Sequence, residues 1–221
     1  MRCQRFRLCY TRGIIIASMK KGEEMNYQKK LESLIIARDG LILTKDVESE
    51  NIPRTYLYRA VKAGRLKALS RGVYLSEDAW EDVYYWKQAI NQKMIYSHET
   101  ALYFLDLTDR DPLVITVTVP FGYNASRLRK DNFQVFSVKK EWYAIGIIPV
   151  KTNFGRDIRC YNQERTICDL LSHRYQSDLS LVTEAVKRYF RQKDRNVPLL
   201  LDYARTFGVE KRIKAYMEVL M

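Results

Sequence analysis

The sequence contains few cysteines and histidines and no long hydrophobic run. Its four cysteines form no CxxC pair and only two histidines accompany them, so we expect no structural zinc site. Free thiols in a reducing compartment, the cytoplasm, explain this pattern best. Apolar stretches such as residues 144–150 are far too short to span a bilayer, and we expect no membrane partner. The cysteines are Cys3, Cys9, Cys160 and Cys168.

Glycine and proline are also sparse, with nine and five residues, while 47% of the chain is hydrophobic. This composition excludes a low-complexity or disordered chain. The length of 221 residues suits one large domain or two modest ones. Basic residues outnumber acidic ones by 38 to 26, and the resulting net charge of +12 favours an anionic partner, with nucleic acid ahead of an acidic membrane surface.

Residues 1–24 do not fit the rest of the chain. They lack the long apolar stretch and cleavage site of a signal peptide. Residues 21–25 can be back-translated into a ribosome-binding sequence that directly precedes the codon of Met25. We therefore expect the native protein to begin at Met25, with residues 1–24 as a translated leader, which the intact mass of the native protein would test. Removing six basic and two acidic residues would lower the net charge from +12 to +8.

Three helices are predicted in the amino-terminal part. Apolar residues at helical spacing predict the first over residues 26–39. Leu41–Leu43 is a short extended link, and Thr44 is a suitable N-cap for a second helix that ends at Glu50. Pro53 fits the first position of a third helix that ends at Ala63. Gly64 follows as the residue that ends the helix in a left-handed conformation.

The third helix has one apolar and one polar face. Leu57, Ala60 and Val61 share the side that can pack on the other helices. The opposite stripe suits a major groove, where arginine can address guanine and hydroxyls can bond phosphate or base edges. A solvated cationic face is the alternative reading. The stripe consists of Thr55, Tyr58, Arg59 and Lys62.

A hairpin follows this helix directly. Alternating residues predict strands at 66–69 and 73–75, with the turn Ser70-Arg71-Gly72 between them. A hairpin that only caps the helices would not explain an arginine at its tip, so we predict a winged helix-turn-helix over residues 26–78. Residues 54–71 contain six basic residues and no acidic one. The predicted groove residues are Arg54, Thr55, Tyr58, Arg59 and Lys62, and the residues predicted at the backbone or minor groove are Arg65, Lys67 and Arg71.

Residues 80–221 are predicted to form a second, mixed α/β domain, so the fold class of the chain is α+β. Helices are expected at 77–91, 97–105, 164–173, 181–192, 198–207 and 210–221, and strands at 114–119, 133–138, 142–150 and 158–161.

We predict no catalytic residue, metal site or cofactor in this second domain. His98 and His173 are isolated in the sequence, and we expect both at helix ends or on the surface. The acidic residues at positions 106, 109 and 111 have the wrong spacing for a calcium loop. A nuclease pattern built on Asp157 and Glu164 has Thr166 in place of the lysine. Arg165 and Asp169 lie four residues apart on one helix and can simply pair with each other.

Several short motifs, in this order, resemble the AbiEi-family antitoxins of type IV toxin–antitoxin systems, which are linked to abortive phage infection. The resemblance covers most of residues 26–221. Its amino-terminal motifs are Ile52-Pro53-Arg54, Leu57-Tyr58-Arg59, Gly64-Arg65-Leu66 and Arg71-Gly72-Val73-Tyr74. Its carboxy-terminal motifs are Ser97-His98-Glu99-Thr100-Ala101-Leu102, Val117-Thr118-Val119-Pro120, Glu164-Arg165-Thr166 and Asp169-Leu170-Leu171.

The resemblance implies a non-enzymatic, cytoplasmic antitoxin that binds inverted repeats in its own promoter DNA and represses its operon. It also implies a nucleotidyltransferase-like toxin as the counterpart, without a stable toxin–antitoxin complex. The chain lacks the Gly-Ser and paired-acid motif of such toxins. A transcriptional regulator whose second domain senses a ligand or assembles an oligomer is the alternative, and a nuclease guided by the winged helix is a third reading. Because no coiled coil is evident, we expect a monomer or a weak dimer formed on DNA.

Overall fold

The computed structural model describes residues 25–172, 175 and 178–220. The expected leader at residues 1–24 and His173 lie outside these described residues. The chain divides into two compact units, the first ending at Trp86 and the second beginning at Lys87. Both units combine helices with a sheet, which confirms the predicted α+β class. None of the described helices is both long and apolar enough to cross a membrane.

Residues 25–76 of the first unit form three helices and a three-stranded antiparallel sheet, in the arrangement of a winged helix. The sheet order is β1-β3-β2, so the extended link at Leu41–Leu43 completes the sheet of the hairpin. Nine buried residues from the helices and strands form one hydrophobic core. The elements are α1 (residues 25–37), β1 (Leu41–Leu43), α2 (Thr44–Ser49), α3 (Thr55–Lys62), β2 (Leu66–Ser70) and β3 (Val73–Ser76).

The start of α2 differs from the prediction, in which Thr44 was the N-cap. Leu43 is the N-cap, and its backbone N–H donates to the buried carboxylate of Asp46 at 2.9 Å. Thr44 is the first helical residue instead, and its backbone N–H donates to the carbonyl of Gly72 at 2.9 Å. Gly72 has a φ of +81°, which a residue with a side chain rarely adopts. The turn of the hairpin is thereby fixed to the first turn of α2.

The second unit contains a five-stranded mixed sheet of order β6-β5-β4-β8-β7. The pairs β4–β5 and β7–β8 are antiparallel, whereas β4–β8 and β5–β6 are parallel. Its hydrophobic core lies mainly among the carboxy-terminal helices and α5. The strands are β4 (Ile95–Tyr96), β5 (Thr116–Pro120), β6 (Gln134–Val138), β7 (Ile147–Lys151) and β8 (Asp157–Tyr161). The helices from residue 83 onward are α4 (Val83–Ile90), α5 (His98–Phe104), α6 (Ser126–Lys130), α7 (Lys140–Tyr143), α8 (Gln163–Leu170), α9 (Leu179–Arg191), α10 (Val197–Thr206) and α11 (Glu210–Leu220).

The largest differences from the predicted elements lie at residues 77–82 and 142–146. The helix expected from residue 77 begins only at Val83, because the buried carboxylate of Asp82 accepts the backbone N–H of Tyr85 at 3.0 Å and starts the helix there. The strand expected at 142–150 is a short helix, α7, followed by β7. Gly146 separates them with a φ of +79°, and a Cβ atom at this glycine would come within 2.9 Å of the Cβ of Arg165.

Candidate nucleic-acid interface

All eight residues predicted to contact DNA are exposed and lie on consecutive elements of the first unit. Four project from α3, one immediately precedes it, and three belong to the segment and hairpin that follow. We refer to these eight residues as the basic face, because six of them are arginine or lysine. The basic face consists of Arg54, Thr55, Tyr58, Arg59, Lys62, Arg65, Lys67 and Arg71.

The two faces of α3 agree with the sequence pattern. Leu57 and Ala60 are buried in the core, and Val61 packs against it. On the other side Tyr58 is 62% exposed, although it is a large aromatic residue. Tyrosine combines a flat apolar ring with a hydroxyl that can donate or accept a hydrogen bond, which suits contact with a polar partner. The helix therefore presents its polar stripe to solvent and not to the protein interior.

The end of α3 sets the direction of the chain toward the hairpin. Gly64 has a φ of +75° and donates its N–H to the carbonyl of Val61 at 3.0 Å, while the N–H of Arg65 donates to the carbonyl of Ala60 at 3.0 Å. These two bonds form a Schellman motif, in which glycine is favoured at the left-handed position. The predicted role of Gly64 is confirmed, and the motif places Arg65 at the start of the hairpin.

Arg59 is oriented by a residue that the sequence analysis missed. Its guanidinium carbon lies 5.3 Å from the ring centroid of Tyr56, which is within cation–π range. The Tyr56 ring in turn lies 5.5 Å from the ring of Tyr27 on α1. The spacing of three residues between Tyr56 and Arg59 on one helix was the available signal. These contacts reduce the conformational freedom of Arg59 before any ligand binds.

Two arginines of the basic face already have acidic partners. Arg54 pairs with Glu48 of α2, and Nη1 of Arg65 lies 2.7 Å from a carboxylate oxygen of Glu32 on α1. All four side chains are more than 40% exposed, and such surface pairs contribute little to stability. A phosphate oxygen can therefore replace either carboxylate at small cost. Within the described residues no carboxylate pairs with Lys62, Lys67 or Arg71.

The hairpin carries Arg71 at its tip. Ser70 belongs to β2, so the turn consists of Arg71 and Gly72 alone and is one residue shorter than predicted. A register shift between Ala68 and Ser70 marks a bulge just before the turn. A bulge increases local twist and can redirect the strand end. The tip of the wing is thus a tight, exposed turn with a positive charge.

The described part of the chain contains no group of three or more histidine, cysteine, aspartate or glutamate side chains placed to hold a metal ion. Asp109, considered above for a calcium loop, forms an ion pair with Arg188 of α9. Cys160 and Cys168 are buried free thiols, and burial raises the pKa of both well above the usual range.

The helices, the three-stranded sheet and the exposed basic face define the first unit as a winged helix-turn-helix. Residues 29–76 match the family model described as "Transcriptional regulator, AbiEi antitoxin". This match confirms, over these amino-terminal residues, the resemblance to AbiEi antitoxins noted in the sequence. This family is one of transcriptional regulators and not of enzymes.

A solved structure resembles nearly the whole chain. The RV2827C protein from Mycobacterium tuberculosis superposes with a TM-score of 0.56, at 12% sequence identity, over 87% of this chain and 81% of that one. At this identity the similarity shows a shared fold and no more. No curated protein gives a significant match to the chain.

Proposed function

We propose that this protein is a type IV antitoxin that binds inverted repeats in its own promoter through the basic face and represses its operon. Residues 26–78 would be the DNA-binding domain and residues 80–221 the antitoxin domain. The single observation that supports the DNA-binding part most strongly is the exposed polar stripe of α3 beside a hairpin with an arginine at its tip. We propose a cytoplasmic monomer, or a weak dimer formed on DNA.

The side chains of the basic face can contact both the base edges and the phosphate backbone of DNA. An α-helix fits the major groove, where Arg59 can donate two hydrogen bonds to guanine and Thr55 can reach a base edge or phosphate. Lys62 and Lys67 carry mobile ammonium groups suited to phosphate oxygens. Arg71 can follow the backbone or enter a narrow minor groove, whose negative potential attracts arginine. Recognition of bases and of backbone would thus come from adjacent elements.

Binding of promoter DNA should depend steeply on salt. If about six residues of the basic face neutralise phosphates, the logarithm of the affinity should fall with the logarithm of the salt concentration at a slope of roughly −5. Fluorescence anisotropy with the DNA upstream of the gene, titrated between about 50 and 200 mM salt, measures this slope. A slope shallower than about −2 would contradict the proposed footprint.

Removing the acidic partner of Arg54 should strengthen DNA binding. The variant Glu48→Gln leaves the guanidinium without its carboxylate, so we expect the affinity for promoter DNA to rise roughly twofold to fivefold, the usual worth of an exposed ion pair. Glu50→Gln is the matched control, because it removes the same charge from the end of α2 where no arginine is paired with it among the described residues. An equal rise in affinity for both variants would show that the change in net charge is the cause. It would exclude competition between Glu48 and a phosphate for Arg54.

The antitoxin part of the proposal rests on the family description and on the mixed α/β unit that follows the winged helix. We propose that this unit opposes a nucleotidyltransferase-like toxin without forming a stable complex with it. Expression of the frame directly downstream in a bacterium, with and without the full chain, tests this part. Failure of the full chain to restore growth, with promoter binding retained, would favour the plain transcriptional regulator.

A further inference from the structure

The second unit encloses a cavity of about 240 Å³ that neither DNA binding nor the family description explains. It lies among the start of α5, the end of β6, helix α8 and the turn that follows α10. Its walls combine aromatic rings with a few polar groups, which is the usual composition of a small-molecule site. The lining residues that matter here are His98, Phe136, Ser137, Trp142, Arg165 and Phe207.

Arg165 is fully buried and held rigidly at this cavity. Its guanidinium is sandwiched between the rings of Tyr161 and Phe207, with centroid distances of 4.4 and 4.1 Å. Nε donates to both carboxylate oxygens of Asp169 at 2.9 and 3.0 Å, which confirms the predicted pairing within α8. Nη1 donates to the carbonyl of Trp142 at 2.7 Å. Within the described residues, Nη2 has no acceptor, so its N–H groups are available to a ligand in the cavity.

His98 provides a second polar side chain that lines the cavity. Of the two positions expected for this residue, a helix end or the surface, the structure shows the helix end: α5 begins at His98, and the residue is buried, with 5% of its surface exposed. Its ring stacks on Phe136 at 4.0 Å, and Nδ1 lies 2.9 Å from the hydroxyl of Ser97. In the part of the chain that the structure describes, Nε2 has no hydrogen-bond partner.

The electrostatic balance of the cavity favours an uncharged ligand. The charge of Arg165 is already compensated by Asp169, and an anion without further positive charge would be costly to bury. Burial and the nearby guanidinium of Arg165 lower the pKa of His98 to about 3, so its imidazole is neutral at physiological pH and adds no charge. In the tautomer whose Nδ1–H donates to the hydroxyl of Ser97, Nε2 of His98 is an acceptor. A group that combines one hydrogen-bond acceptor with one donor then matches Nη2 of Arg165 and Nε2 of His98.

The walls and the volume restrict the ligand further. The rings of Phe136, Trp142 and Phe207 line the cavity, although His98 stacks on Phe136 and the guanidinium of Arg165 lies against Phe207. The parts of these rings that face the cavity can pack against a planar ring of the ligand. A volume of 240 Å³ corresponds to about eight water molecules and lies below the range of drug-sized pockets. The ligand should therefore contain on the order of ten non-hydrogen atoms.

We propose that this cavity binds a small, uncharged aromatic compound that carries a carboxamide or an equivalent ring amide. The amide oxygen accepts a hydrogen bond from Nη2 of Arg165, the amide N–H donates to Nε2 of His98, and the ring packs against the aromatic walls. This site lies wholly within the second unit, so its test does not depend on DNA binding.

Benzamide is the probe for this site. Saturation-transfer NMR on the full chain should detect benzamide binding with a dissociation constant in the millimolar range or below. Benzoate has the same ring with a negative charge, and cyclohexanecarboxamide has the same amide without the planar ring. We expect both to bind at least about tenfold more weakly than benzamide, the loss associated with a poorly matched polar group or poorer packing. No benzamide binding, or tighter binding of benzoate, would overturn the proposal.

Two variants locate the bound probe. His98→Asn removes the imidazole but retains a residue type that tolerates the observed φ of +50°, and it should weaken benzamide binding about tenfold. Ser137 is exposed at the edge of the cavity, so Ser137→Phe should block entry and abolish binding. The matched control is Gln134→Phe, which adds the same ring to an exposed position of the same strand outside the cavity lining and should leave binding unchanged. Because both variants alter only an exposed side chain, they decide the question even if His98→Asn fails to fold. Binding that survives Ser137→Phe would place benzamide elsewhere and contradict the proposal.

Discussion

Replacement of both Arg59 and Lys62 by glutamate should reduce the affinity for promoter DNA by about a hundredfold or more. Both side chains project from the exposed stripe of α3, and each reversal removes a favourable contact and adds repulsion from the phosphates. A loss of about 1–3 kcal/mol per residue accounts for this size of effect. Fluorescence anisotropy with the upstream DNA at constant salt measures it.

The matched control for this prediction is Lys29→Glu with Lys30→Glu on α1. It makes the same change in net charge with two exposed lysines of the same unit that lie outside the basic face. We expect the control to weaken binding less than about tenfold, through the general field of the protein alone. A similar loss in both variants would show that net charge, and not the stripe of α3, determines DNA binding.

The same α3 variant also tests whether promoter binding belongs to the first unit and toxin neutralisation to the second. In a folded protein it should lose promoter binding but still restore growth when the downstream frame is expressed. The variant changes only exposed residues, so circular dichroism should show an unchanged helix content. Loss of both activities in a folded variant would contradict the proposal that residues 80–221 act as the antitoxin.

The winged helix could be predicted from the sequence because its signals are local. The apolar spacing of Leu57 and Ala60 determines which side of α3 is buried, and Gly64 marks the end of that helix through its own backbone preference. The hairpin follows from alternating residues on both sides of a turn that contains Gly72. None of these inferences requires knowledge of a residue distant in the sequence.

What the sequence could not show depends on contacts between distant segments. Glu32 and Arg65 are 33 residues apart, and nothing local indicates that they pair. Strand β4 has only two residues, too few to display a period, and it exists because β5 and β8 flank it. The burial of His98 arises from packing against Phe136 on β6. Tertiary structure overrides local preference at these positions.

Replacement of Arg165 by methionine should destabilise the second unit by about 3–5 kcal/mol at neutral pH, the usual cost of breaking a buried ion pair. The variant leaves the carboxylate of Asp169 buried without its partner. It also removes the hydrogen bonds from Nη1 to the carbonyls of Trp142 and Ile145. Hydrogen exchange of peptides that cover α8 measures the stability of this unit separately from that of the winged helix.

The destabilisation by Arg165→Met should increase with pH. Burial raises the pKa of Asp169 to about 6, and Arg165 opposes this rise. A carboxyl group whose pKa is higher in the folded state stabilises the fold below its unfolded pKa, and this contribution is lost as the pH rises through the folded value. Without Arg165 the folded pKa of Asp169 rises further, so the loss extends above about pH 6. The variant should therefore be less destabilised at about pH 5 than at about pH 8.

The double variant Arg165→Met with Asp169→Asn separates the charge effect from the packing effect. Asparagine does not titrate, so the double variant should show the same stability difference from a single Asp169→Asn variant at both pH values. The part of the destabilisation that remains then measures the lost stacking on Tyr161 and Phe207 and the unpaired carbonyls. If Arg165→Met alone showed no change with pH, the buried carboxylate of Asp169 would not be the group that requires Arg165, and the stacked guanidinium would stabilise the unit through packing alone.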